Sequence, residues 1–198
     1  MFKTQAVLAI AGVMLTGSSV LAQEQAAPAH KPHFEFNLVS GKVLPTGAQR
    51  DAIKSANLTV AQLSYEIHPS FAITASTGWA RTRDVASFGD PKLDMFTYDV
   101  GGEVRAHRIS LSKTFSVMPF AGIGAGGRSY NYRSRDVDAT HNLAGYVSAG
   151  SELGIGNRVR LRLEARDYVS GFKPLAGGDV SDTRNDVSVV LGLRVKVR

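Results

Sequence analysis

From Phe34 to its end the chain repeats one pattern: apolar side chains at every second position, over segments longer than soluble strands need. Phe34, Phe36 and Leu38 alternate with Glu35 and Asn37, and Ala61, Leu63, Tyr65 and Ile67 alternate with Gln62, Ser64 and Glu66. The same reading holds over 71–79, 96–104, 119–125, 147–155, 159–166 and 187–197. Alternation of this kind puts one set of side chains on each face of a strand. It predicts about eight strands, most of ten or more residues, against ~5–6 for the usual soluble strand. A tilted strand needs about 9–11 residues to cross a bilayer.

The connections alternate in length. His68-Pro69-Ser70 and Gly156-Asn157 are tight turns, and the link from His107 to Thr114 is moderately short. Between them fall longer polar stretches, Leu44–Asn57, Thr82–Asp94, Ser134–His141 and Gly171–Arg184, which hold most of the Pro, Asp, Gly and Ser turn residues. Short and long links in turn are the signature of an up-and-down barrel. The predicted fold is therefore all-β: an eight-stranded antiparallel transmembrane β-barrel over residues 34–198, with both termini at its short-turn, periplasmic end.

The N-terminus points to export. Lys3 supplies a charged start, Ala6–Leu15 an apolar run, and Val20-Leu21-Ala22 a small-residue cleavage site. Residues 1–22 are predicted to be a cleaved signal peptide and 23–33 a flexible mature N-terminus. The apolar run is about ten residues, short of the ~20 that span hydrocarbon as a helix. No Cys is present, which removes disulfides, thiolate metal sites and a Cys nucleophile. The formal charge of +6 comes without a contiguous basic run, so no nucleic-acid partner is expected.

Alternation alone leaves open which face points outward. A soluble lipocalin-like carrier would turn the same apolar stripes inward, around a ligand. Aromatic placement favours lipid on the outside. Tyr65 and Phe71 flank the His68 turn and Trp79 lies eight residues beyond Phe71, roughly 27 Å at ~3.4 Å per residue. With Phe96 and Tyr98 these five are the expected lipid-facing aromatics, bounding an apolar band about 25 Å tall. The polar face carries both signs. Glu103, Glu152 and Glu164, with Arg105, Arg128, Arg160, Arg162, Arg166 and Arg194, are predicted to form a charge network inside the barrel. Glu35, Glu66, Asp99, Arg158 and Lys196 share that face. Buried charges are tolerated when paired and hydrogen-bonded, a role that suits the guanidinium fork. Gly122, Gly124 and Gly126 are expected to leave room for long side chains crossing the lumen. An interior so filled disfavours a wide pore.

Few motifs carry chemistry. Gly122–Gly127 fits G-x-G-x-x-G, but it continues as a strand where a dinucleotide site needs a helix. His30 and His33 lack further metal-ligand spacing and read as solvated linker. Asn57-Leu58-Thr59, formally a glycosylation acceptor, carries no weight in a bacterial product. His68-Pro69-Ser70 has the His-x-Ser spacing of outer-membrane lipid A deacylases, with Glu66 near, yet it falls in a predicted periplasmic turn. No catalytic, cofactor-binding or metal-binding residue is expected, and no cofactor.

The chain resembles the OmpA/OmpX-like outer-membrane β-barrels. The residues that carry the likeness are Leu63–Ile67 before a short turn, Phe71–Trp79, the run Pro119–Gly127, and Leu161–Tyr168. Members usually end in an aromatic residue that the barrel-assembly machinery recognises. Here the last residues are Val195-Lys196-Val197-Arg198, with Val197 in that place. No peptidoglycan-binding domain is expected. The resemblance implies a non-enzymatic role in envelope structure or surface contact, surrounded by outer-membrane lipid and lipopolysaccharide. The loops 82–94 and 132–142 are the expected contact surface.

Overall fold

The structure, a computed structural model, describes residues 31–47, 50–133, 136–155, 158–172 and 182–197. The predicted signal peptide, the Gly156-Asn157 turn and most of the 171–184 link lie outside the described residues. Among the described residues nine strands follow one another: β1 (His33–Thr46), β2 (Ala56–His68), β3 (Phe71–Arg83), β4 (Lys92–Arg105), β5 (Ile109–Ser110), β6 (Phe115–Tyr132), β7 (Thr140–Ile155), β8 (Val159–Phe172) and β9 (Asp182–Lys196). Eight are long, 13 to 18 residues. The ninth, β5, is a two-residue strand inside the predicted 107–114 link, paired to the start of β6.

Each long strand pairs antiparallel with its neighbours in sequence. The pairings β1–β9 and β4–β6 close the sheet into a cylinder. Closure leaves no long strand with an unpaired edge. Among the described residues no helix is long and apolar enough to cross a membrane, a limit that does not apply to strands.

The start of β1, the end of β9 and the Pro69-Ser70 turn lie at one end of the cylinder, the terminal end. The long links gather at the other, the loop end. Several strands run further into the loop end than the turn residues imply. β3 continues to Arg83 and β4 starts at Lys92, so the link predicted as 82–94 is only residues 84–91. Asp84 orders that link. Its carboxylate accepts from the N–H of Ala86 (3.1 Å) and Ser87 (3.2 Å), from Ser87 Oγ (2.7 Å) and from Tyr132 Oη (2.8 Å). Gly89 (φ 80°) and Asp90 (φ 44°) turn the chain in the left-handed region, beside the fully exposed Phe88.

Burial follows the alternation. Along β2, Gln62, Ser64 and Glu66 are buried, while Leu63, Tyr65 and Ile67 are exposed. The apolar stripes thus cover the outer wall and the charged stripes fill the inside. A carrier of the lipocalin kind needs the opposite arrangement, and that alternative is set aside.

Candidate functional site

Among the described residues, charge is concentrated out of water in the lumen. All nine residues predicted for its network have side chains directed into it. Near the terminal end the Arg105 guanidinium, on β4, donates to Glu103 Oε1 (2.8 Å), Glu35 Oε2 (2.8 Å) and Glu66. Arg162, on β8, donates to Glu164 Oε2 (2.8 Å), Glu152 Oε1 (2.7 Å) and Glu103 Oε2 (2.5 Å). Arg194, on β9, reaches Asn37 Oδ1 (2.7 Å), Ser64 Oγ (3.2 Å), Glu103 Oε1 (3.2 Å) and Glu152 Oε1 (2.5 Å). Arg160 bridges Glu35 (3.1 Å) and Glu152 (3.3 Å), and Arg166 pairs with Glu164. Higher up, Arg128 pairs with Asp186 and stacks 4.2 Å over the Tyr168 ring. The Tyr168 hydroxyl donates to Asp99 (2.8 Å).

The signs balance. Glu35, Glu66, Glu103, Glu152 and Glu164 face Arg105, Arg160, Arg162, Arg166 and Arg194; Asp99 lies 3.9 Å from Arg166, and Asp186 faces Arg128 and Arg184. Seven carboxylates meet seven guanidiniums. A buried charge without a partner costs several kcal/mol, so this equality is what lets the lumen be charged at all.

Two members of the polar face fall elsewhere. Arg158 and Lys196 sit at the strand ends and are exposed, because the lumen has already opened to solvent there. Arg184 and Asp186 were not expected inside: the Asp-, Gly- and Ser-rich sequence up to 184 reads as loop, but β9 begins at Asp182. Arg184 Nε donates to Asp186 at 2.7 Å.

The glycines give room to rings more than to arginines. A Cβ on Gly124 or Gly101 would collide with Tyr146, and one on Gly150 with Phe120. Arg166 and Arg162 then stack on those two rings, at 4.9 and 3.6 Å. Each ring thus has glycine backbone close on one side and a guanidinium over its face.

Toward the loop end the lumen changes character. Val43, Leu58, Val60, Leu93, Met95 and Phe172 belong to one buried apolar cluster. Tyr130 packs edge-on against Phe172 at 4.9 Å. This plug was not foreseen. One sequence signal is a switch of phase in β2: Leu58 and Val60 are buried with Asn57 and Thr59 outward, whereas from Ala61 and Leu63 on the apolar residues are the outward set.

On the outer wall, Tyr65, Phe71, Trp79, Phe96 and Tyr98 are all exposed. Register places Phe34 beside Tyr65 near the terminal end and Trp79 beside Phe96 near the loop end. The Phe34 and Tyr65 rings lie 4.8 Å apart, and the Trp79 Nε1–H donates to Asp94 (3.3 Å). Tyr98 covers Gly127 and contacts His141 Nδ1 at 3.2 Å.

Two catalytic or metal candidates dissolve on geometry. In the 68–70 turn, His68 Nδ1 accepts the backbone N–H of Ser70 (3.2 Å), while the Glu66 carboxylate turns inward to Arg105. That tripeptide is a turn with its ring nitrogen facing an amide. His33 is the first residue of β1, not linker, and its Nε2 lies 3.5 Å from Glu35 and 3.8 Å from Glu66. The three could in principle hold a cation. Arg105 already binds both carboxylates, so a dication there would face a guanidinium. His30 lies outside the described residues.

Comparison with known proteins follows this architecture. The family described as outer membrane protein beta-barrel domain matches residues 8–197. Neisserial surface protein A (NspA) superposes with a TM-score of 0.58 at 13% identity, covering 85% of this chain and 100% of its own. The outer membrane protein AlkL, solved by solid-state NMR in lipid bilayers, gives 0.51 at 14% identity, covering 92% and 97%. At such identities the likeness is one of fold. No curated protein matches the sequence.

Proposed function

The chain belongs to the outer membrane protein beta-barrel domain family and sits in the cell outer membrane; on that premise we propose that it is a closed, non-enzymatic barrel supporting envelope structure and surface contact. The observation that carries this reading is the filled lumen: seven carboxylates matched by seven guanidiniums, with an apolar cluster packed around the uppermost of them. Catalysis in a barrel of this kind needs a nucleophile with a base in reach and an acid to orient it; in the His-x-Ser turn His68 Nδ1 faces the Ser70 amide and the Glu66 carboxylate is held by Arg105.

In this reading the loop end faces outward and both termini face the periplasm, with Tyr65, Phe71, Trp79, Phe96 and Tyr98 turned to lipid. The contact surface is narrower than the 82–94 segment: residues 84–91, pinned by Asp84, display Phe88 at 96% exposure. The segment 132–142 contributes residues 136–139 before β7 begins. Delivery by the barrel-assembly machinery belongs to the same reading, with Leu193, Val195 and Val197 forming the outward stripe of the last strand.

Planar-bilayer recording tests it. Purified protein inserted into a bilayer is expected to give no porin-like conductance steps, since ions have no wet path through paired charges and packed rings. Stable, large-conductance steps from pure protein would overturn the closed-barrel reading.

A further inference from the structure

Outside the lumen, at the loop end, five cations stand on adjoining backbones with one carboxylate among them. The Lys54 N–H donates to the Arg83 carbonyl (3.1 Å), Arg83 is in register with Lys92, and the Lys92 carbonyl accepts the Arg133 N–H (3.1 Å). Arg81 lies two residues before Arg83 on the same outward face, 4.6 Å over the Trp79 ring. All five are exposed, and together they line a cleft of about 240 Å³. The carboxylate is Asp94, held by Arg133 (2.7 and 2.6 Å) and 3.9 Å from Arg81.

Five positive groups share one negative, Asp94, which Arg133 and Arg81 already flank, so the excess is four positive charges among the described residues. Like charges on directly opposed strand positions destabilise a sheet, so Arg83 beside Lys92 costs stability. Inside the barrel the same chain matches every guanidinium with a carboxylate. The rim does the opposite, and an anion from outside the chain is the natural complement.

Position selects the anion. The cleft lies immediately above Trp79 and Phe96, where an aromatic girdle marks the border between acyl chains and headgroups. Its cations share the outward face with those rings. Arginine forks bind phosphate oxygens in pairs, and lysine adds a mobile point charge. We propose that this rim cleft binds a phosphate group on the headgroup of an outer-leaflet lipid. The proposal rests on the outward placement of the loop end given above. Free phosphate offers the same chemistry but gains nothing from the rings beneath.

Native mass spectrometry of the folded protein in non-ionic detergent tests this, titrated with a bisphosphorylated glucosamine lipid of the lipid A type. Wild type is expected to retain the lipid. The double variant Arg83→Gln with Lys92→Gln is expected to bind about 30-fold more weakly, as two cations at ~1 kcal/mol each imply. The dephosphorylated lipid is expected not to bind either protein. Equal affinity of wild type and variant for the phosphorylated lipid would overturn the proposal. Displacement of the lipid by an equal concentration of inorganic phosphate would reassign the cleft to a free anion and also overturn it. Failure of the barrel reading itself looks different: both proteins would stay dissolved without detergent and show no heat-modifiable band.

Discussion

Arg162→Met is expected to lower the unfolding free energy by about 3–5 kcal/mol, the cost of breaking a buried ion cluster from one side. Arg162 has no exposed side-chain surface and is the partner of three carboxylates: Glu103 at 2.5 Å, Glu152 at 2.7 Å and Glu164 at 2.8 Å. Those acids come from β4, β7 and β8, so one guanidinium ties opposite walls of the cylinder together. Its removal leaves more negative than positive charge in a site closed to water. Methionine fills much of the space but answers none of the charge. Arg162→Lys keeps the charge and loses the fork, so a smaller loss is expected. Exposed Arg158→Met, at the turn before the same strand, should fall within about 0.5 kcal/mol of wild type. Equilibrium urea unfolding in lipid vesicles measures all three. Equal stability of Arg162→Met and Arg158→Met would show that the network does not hold the barrel.

Val100→Arg probes the other face and is expected to destabilise the inserted barrel by about 2–4 kcal/mol. Val100 is 62% exposed on β4, beside Ala75 in register. Ala75 is midway between Phe71 and Trp79, which puts Val100 near the centre of the apolar band. A charge there meets acyl chains. Were the wall in water, the same substitution would be neutral within about 0.5 kcal/mol. Val85→Arg, in the loop-end link, serves as the reference, since arginine there stays in water. The difference in unfolding free energy between the two variants, measured in the same vesicles, decides the matter. No difference would mean that the outer wall is not turned to hydrocarbon.

Much of this architecture is legible in the chain itself, because a closed barrel obeys one rule along its whole length. Period two puts Glu35, Gln62 and Glu103 on one face and Phe36, Leu63 and Val104 on the other, and closure then decides which face is inside. The resemblance carried by Leu63–Ile67 and Pro119–Gly127 led to the family that the chain belongs to. What stayed hidden has physical causes. Turn residues in 171–184 mask the start of β9, so Arg184 reads as loop and Asp186 falls before the alternating segment 187–197, although both complete the charge balance. Met95, Tyr130 and Phe172 obey the alternation yet point inward, because the strands outrun the apolar band and the upper lumen is packed with apolar side chains around Arg128, Arg184 and Asp186. The rim cations escaped notice for another reason. Lys54, Arg83, Lys92 and Arg133 are far apart in sequence, and only strand register brings them side by side.

The chain's single tryptophan offers the most direct measurement of its central claim, that the apolar wall faces lipid while the charges pair inside. Trp79 stands on the outer wall near the loop end. In vesicles its fluorescence should be quenched by lipids brominated on the acyl chains, and spared by acrylamide in the water. Emission quenched by acrylamide and untouched by the brominated lipid would contradict the account.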